Sequence, residues 1–190
     1  MSDRVLVTGG AGFIGSHICE RLCSEGREVV VIDNLCTGTR ENLAGMDVEF
    51  VEGSITNLDD VAKAIQGVRK VVHLAALPSV ARSLERPLDT HAACATGTVN
   101  VLNVAKEVGA RVVYAGSSSA YGNHDEKMKH EELREDPLSP YSAAKLAGEL
   151  YCRTFARVFD MDVVVTRFFN VFGPRQPADS PYSGVIAAFC

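Results

Sequence analysis

The chain has 190 residues, 46% of them hydrophobic and 23% charged, with a formal net charge of −5. That length suits one domain, or one domain and the beginning of another, with enough apolar residues for a sizeable core. The acidic balance, without basic tails or long single-sign runs, excludes a general nucleic-acid binder, and no apolar stretch approaches the ~20 residues that cross a bilayer.

Apolar runs and helical patterns alternate along the chain. Strand-like runs lie at 5–7, 29–32, 48–51, 71–74, 112–115 and 163–168, with amphipathic stretches at 12–25, 56–67, 87–108 and 139–159. Near-continuous Val/Ile/Leu strands imply burial on both faces, hence a parallel sheet covered by helices. Right-handed crossovers make this an α/β, doubly wound fold. The polar stretch 124–136 reads as a surface loop. Residues 171–190 carry Gly173, Pro174, Pro177, Pro181 and Gly184 before a final apolar run. The expected organisation is a dinucleotide-binding domain over 1–170 and the start of a truncated substrate-binding lobe over 171–190.

The first strand leads into Thr8-Gly9-Gly10-Ala11-Gly12-Phe13-Ile14-Gly15. Gly9, Gly12 and Gly15 have the spacing of a dinucleotide-binding turn. The first makes a tight turn, the second admits a pyrophosphate to the backbone, and the third lets helix and sheet pack closely. Free N–H groups at the helix start attract the phosphates. The second strand ends in Asp33, where an acid meets the adenosine ribose, so NAD is expected over NADP. Arg40, seven residues on, is the residue that threatens this preference. The six cysteines form no Cys-x-x-Cys pair. They read as reduced thiols of a cytoplasmic protein with no metal site, and the early first strand leaves no room for a signal peptide.

Ser139-Pro140-Tyr141-Ser142-Ala143-Ala144-Lys145 follows later. Ser139 suits a helix N-cap and Pro140 the first helical position. Tyr141 and Lys145 then stand one turn apart on one face. A phenol with pKa ≈ 10 becomes a useful base when an ammonium and a cationic nicotinamide favour its phenolate. The fifth strand opens into Ser117-Ser118-Ser119, hydroxyls placed beyond a strand's carboxyl end, where ligands of this fold bind.

With these elements in order, the sequence resembles the extended short-chain dehydrogenase/reductase superfamily, and within it the nucleotide-sugar 4-epimerases acting on UDP-glucose or UDP-N-acetylglucosamine. Supporting stretches are 31–38, 73–76, 79–87 and 167–175. The resemblance implies a Rossmann fold and NAD bound by Gly9, Gly12, Phe13, Ile14 and Gly15, by Asp33, Asn34, Thr37 and Gly38, and by Ser54 and Ile55. Leu74, Ala75 and Ala76 would line the cofactor. Tyr141 would be the base and Lys145 its partner, both touching cofactor. The hydroxyl four residues before Tyr121-Gly122 maps to Ser117, beside Ser118. Ser79 and Arg82 would approach the sugar and Asn170 the diphosphate of a UDP-sugar substrate.

Epimerisation at C4 through a 4-keto sugar is the activity so implied, in a homodimer formed by the helices at 87–108 and 139–159. Ser117-Ser118-Ser119 replaces the Thr-Asp-Glu of the dehydratases and lacks the Glu of the decarboxylases. A dehydratase or decarboxylase, or an NAD-binding module without turnover, is the alternative. Two departures weaken the NAD expectation: Cys94 stands where the family usually has Asn, and Gly53-Ser54 where it usually has Gly-Asp. The resemblance further implies that much of the nucleotide-clamping lobe lies beyond these residues, so that 1–190 alone would turn over little and expose 163–168 as an apolar sheet edge.

Overall fold

β1 (Val5–Thr8) and β2 (Val29–Asp33) have almost no solvent-facing side, since every side chain but Asp33 is buried. Such strands are stable only at the centre of a covered parallel sheet. The computed structural model, which describes residues 4–126 and 128–176, places them there. β3 (Val48–Glu52), β4 (Lys70–His73), β5 (Arg111–Ser117) and β6 (Val163–Phe168) complete a six-stranded sheet in the order β3-β2-β1-β4-β5-β6. All pairings are parallel, with Val5 opposite Val29 on one side and Lys70 on the other. The order reverses between β1 and β4. The loops leaving those two strands therefore diverge and open a crevice at the carboxyl end of the sheet, the ligand position of doubly wound folds.

α1 (Phe13–Ser24) covers one face, over a core of Val7, Ala11, Cys19, Val29, Val31 and Leu43. α2 (Leu58–Ala64), α5 (Gly97–Val108) and α6 (Pro140–Phe159) cover the other, over Leu6, Val30, Ile32, Val71, Leu102 and Val112. The two cores lie on opposite sides of one sheet, as the apolar runs predict.

The expected helix at 87–108 is a continuous helical path that changes pitch. α3 (Val80–Glu85) precedes it, α4 (Pro87–His91) begins it, and a π turn at Ala92–Thr96 joins α4 to α5. Such single π turns sit frequently at functional sites. The stretch at 56–67 yields only α2, because Asn57 caps it by accepting from the Asp59 N–H at 3.0 Å. α6 starts as predicted. Ser139 accepts from the Ser142 N–H at 3.1 Å while the Ser142 hydroxyl accepts from the Ser139 N–H at 2.9 Å, satisfying two orphan donors at once.

Among the described residues of 124–136 there is neither helix nor strand, although Leu133 is buried. β6 is an edge of the sheet, as expected, with no strand beyond it among the described residues; α6 packs against Val163 and Val165 on one face, which leaves most of its side chains half-buried. The apolar run at 185–190, and with it most of the expected lobe start, lies outside the described residues.

Candidate active site

The turn after β1 shows why it needs three glycines. Gly9 adopts φ +72°, and a Cβ there would lie 2.8 Å from the Ala75 nitrogen. A Cβ at Gly15 would lie 2.1 Å from the Gly9 carbonyl oxygen, so helix and turn touch backbone to backbone. Gly12, the N-cap of α1, meets only the Gly9 oxygen at 3.3 Å. A side chain at Gly12 would therefore fill the space over the helix start. The first turn of α1 carries no acid, so its positive end and free N–H groups face the crevice unopposed. This cradle fits a pyrophosphate.

Asp33 joins the cradle from the end of β2. One carboxylate oxygen accepts from the Ala11 N–H at 3.0 Å and the other from the Leu35 N–H at 2.9 Å. Each oxygen keeps a lone pair for a ribose hydroxyl. Sequence reasoning gave Asp33 only the ribose; the structure adds the bracing of the glycine turn. Gly38 packs on Ala11, and Thr39 donates its N–H to the Ala11 carbonyl at 3.1 Å. Asn34 and Thr37 are exposed beside them. Ser54 donates its N–H to Asp60 at 2.9 Å, while Ile55 is buried under Gly97. Asp60 thus brings a carboxylate to the Gly53-Ser54 turn, a residue that sequence reasoning missed.

A buried polar chain crosses the crevice floor. His73 Nε2 lies 3.0 Å from the Thr98 hydroxyl, which donates to the Cys94 carbonyl at 2.7 Å. With its one hydrogen so used, Thr98 accepts from His73, so Nε2 carries the ring proton and Nδ1 accepts from Thr8 at 2.7 Å. Burial, helped by the Lys145 ammonium, pushes the His73 pKa down to about 3. Thr8 in turn accepts from the Leu74 and Ala75 N–H groups. The chain fixes the 74–76 backbone beside the glycine turn.

Ser117 ends β5 and Tyr141 opens α6, and the structure brings them to one place, with the Ser117 side chain near enough to lower the Tyr141 pKa. Ser117 also caps the following 3-10 turn and pairs with Ser119 at 2.8 Å. Burial pushes the Tyr141 pKa up to about 12, opposed by the nearby Ser117 side chain. Lys145 is buried, and burial holds its pKa below the ordinary value. Its ammonium stands 4.3 Å over the Tyr114 ring, a cation–π seat that the Tyr-x-x-x-Lys spacing did not reveal. Tyr114 donates to the Lys145 carbonyl at 3.0 Å. Gly148 lets this happen, since a Cβ there would lie 2.4 Å from the Tyr114 oxygen.

Of the remaining expected residues, Ser79 is buried and its hydroxyl caps α3, accepting from the Arg82 N–H at 3.0 Å. Arg82 is half-buried, Ser118 half-buried and Asn170 exposed just past β6. Two clamps escaped the sequence reading. Arg167 grips Glu149 through Nε at 2.9 Å and Nη2 at 2.8 Å, and stacks 4.5 Å over Tyr121. Glu135 joins from the 124–136 loop at 2.8 Å. Beyond β6, Arg175 donates to His17 Nδ1 at 2.6 Å, and His17 Nε2 donates to the Pro174 carbonyl at 2.8 Å. Residues 173–176 are thereby docked on α1, beside the glycine turn.

Comparison with known proteins agrees with this geometry. The chain is 36% identical over 188 residues to a putative UDP-glucose 4-epimerase of Methanocaldococcus jannaschii, covering 97% of this chain and 61% of that protein. It is 35% identical to UDP-glucuronic acid decarboxylase 1 of Xenopus tropicalis, covering 91% of this chain and 42% of that one. The crystal structure of a Thermus thermophilus UDP-glucose 4-epimerase in complex with NAD superposes with a TM-score of 0.91 at 39% identity, covering 98% of this chain and 61% of that one. The chain thus spans about three fifths or less of the length of these relatives. The profile of the NAD dependent epimerase/dehydratase family matches residues 5–190. So little of the sequence falls outside that match that the conclusion is direct: this protein belongs to the NAD dependent epimerase/dehydratase family, whose cofactor is NAD.

Proposed function

We propose that the protein holds NAD across the β1–β4 crevice and epimerises a UDP-sugar at C4 through a 4-keto intermediate. The observation that carries this reading is the convergence of Ser117, at the end of β5, with Tyr141 and Lys145, one turn apart at the start of α6. Gly9, Gly12 and Gly15 present backbone to the pyrophosphate and Asp33 takes the ribose. NAD, when bound, supplies the hydride acceptor and its return donor. Tyr141 removes the C4 hydroxyl proton, and Ser117 hydrogen-bonds the same oxygen. Lys145 adds positive charge that draws the phenol toward phenolate. Tyr141 keeps the proton while the keto sugar turns about its diphosphate link, then returns it. Asn170 and Arg82 serve the diphosphate and sugar.

The serines distinguish this from elimination or decarboxylation: where acid–base work on water loss needs carboxyl groups, Ser118 and Ser119 offer hydroxyls. Leu84 and Leu88, with Leu150 and Tyr151 on α6, are exposed apolar side chains, which supports a homodimer through these helices. Among the described residues no helix is long and apolar enough to cross a membrane, and the five described cysteines are free, which supports a cytoplasmic setting. The division into an NAD domain over 1–170 and a substrate-lobe start at 171 is part of the same proposal. The test is proton NMR of UDP-galactose or UDP-N-acetylgalactosamine incubated with the protein and NAD. Inversion at C4 supports the reading. Loss of water or carbon dioxide from the sugar nucleotide contradicts it.

A further inference from the structure

β2 and β3 end together, with Asp33 directly opposite Glu52 in the parallel register. Two carboxylates therefore share the carboxyl end of this sheet edge. One cation answers them. Arg40 opens the 3-10 turn Arg40–Leu43, and its neighbour Thr39 is pinned to the Ala11 carbonyl of the glycine turn. The Arg40 guanidinium lies 4.3 Å over the Phe50 ring, and its Nη2 is 2.8 Å from Glu52 Oε2. Phe50 and Glu52 are two apart on β3, so they present ring and carboxylate on one face. The ring holds the guanidinium at the strand ends, and one carboxylate oxygen takes one of its terminal N–H groups.

We infer that Glu52 is a cofactor-selectivity residue, which engages Arg40 and so withholds it from the 2′-phosphate of NADP. The inference rests on the NAD reading of the preceding section. In dinucleotide-binding folds an acid at the end of the second strand takes the ribose 2′-hydroxyl, and a nearby Arg accommodates a 2′-phosphate. This chain carries both. Asp33 is oriented by its bonds to Ala11 and Leu35 and keeps a lone pair on each oxygen for the ribose. Arg40 is committed by Glu52. Asp33, Glu52 and Arg40 together sum to one negative charge, which repels a phosphate of about −2. Without the Glu52 charge the three positions sum to zero, and a planar fork suited to phosphate is freed on its aromatic seat. Both partners are more than half exposed, at 58% and 60% of their side-chain surface, so the pair opens without disturbing the core.

The experiment is calorimetric titration of the chain with NAD and with NADP at low salt. The proteins are wild type, Glu52→Gln and the double variant Glu52→Gln/Arg40→Ala, each with its thermal midpoint checked. Glu52→Gln is expected to tighten NADP about fivefold, the size of removing one unit charge near a dianion in a largely aqueous setting, and to change NAD by less than about twofold. The double variant is expected to lose the gain. No gain in Glu52→Gln overturns the inference, and so does a gain that survives removal of Arg40. Wild-type protein that takes up neither dinucleotide overturns the NAD reading itself, a result distinct from NAD binding with unchanged selectivity.

Discussion

Lowering the pH should destabilise this fold chiefly through one buried histidine. His73 is 1% exposed, donates through Nε2 to Thr98 and accepts through Nδ1 from Thr8. A second ring proton would sit against the Thr8 hydroxyl and near the Lys145 ammonium, in a site closed to water, which is why its pKa is pushed down to about 3 from an ordinary 6.5. The unfolded chain takes that proton near pH 6.5 and the native one does not, so stability is complete above that value and is lost as pH falls toward 3. Each pH unit well inside that window costs about 1.4 kcal/mol, so the loss is roughly 2–3 kcal/mol from pH 6.5 to 4.5 and at most about 5 in all. Against a typical domain stability of 5–15 kcal/mol that is a large share.

Urea unfolding followed by circular dichroism, from about pH 7.5 down to about pH 4.5, measures it. His73→Gln removes the titration while keeping a neutral polar group. It should begin about 1–3 kcal/mol less stable, with one end of the chain left unpaired. Its pH slope should be shallower than wild type by about 1.4 kcal/mol per unit. Parallel curves for the two proteins would exclude His73 as the source of the slope. So would a native-state His73 NMR signal titrating near its ordinary pKa, a readout that does not depend on the variant folding well.

Other outcomes follow from the same contacts. Tyr141→Phe should lower any C4 epimerisation by about 10²–10⁴-fold, the usual worth of a positioned base, with NAD affinity by calorimetry nearly unchanged. Ser117→Ala should cost less, because Ser119 lies 2.8 Å from the lost hydroxyl and holds water or substrate in its place. Gly148→Ala should destabilise by about 1–3 kcal/mol in urea melts, even though alanine is the better helix former by about 1 kcal/mol. The added methyl meets the Tyr114 oxygen at 2.4 Å and the Cys94 carbonyl at 3.1 Å, and unchanged stability would show that α6 yields freely there.

Short-range chemistry explains why so much of this was legible. Valine runs marked all six strands, and β6 coincides with the expected 163–168. Ser139-Pro140 announced the start of α6, and the four-residue spacing put Tyr141 and Lys145 on one face. The glycine turn was readable from its spacing, though the backbone that Gly9 must clear, at Ala75, is 66 residues away. What stayed hidden depends on partners far away in sequence. His73 meets Thr8 across 65 residues, Arg167 meets Glu149 across 18, and Arg175 meets His17 across 158. The π turn at Ala92–Thr96 was hidden for a different reason: composition there is ordinary for an α-helix, and the Thr98 bond back to the Cys94 carbonyl, four residues away, shows only in the fold. Ser79 caps α3, a structural role that the sequence reading, which placed it near the sugar, did not name.

The proposed chemistry turns on Tyr141 being a base whose proton is released by bound NAD. Ultraviolet titration of tyrosine ionisation, with and without NAD, reads that release. Without NAD, Tyr141 should stay protonated until about pH 12, where burial has pushed it. With NAD, the nicotinamide charge should pull one tyrosine well below that value, and Tyr141→Phe should abolish the NAD-dependent step. A titration that NAD leaves unmoved, or an NAD-dependent step that persists in Tyr141→Phe, would remove Tyr141 from the role of base.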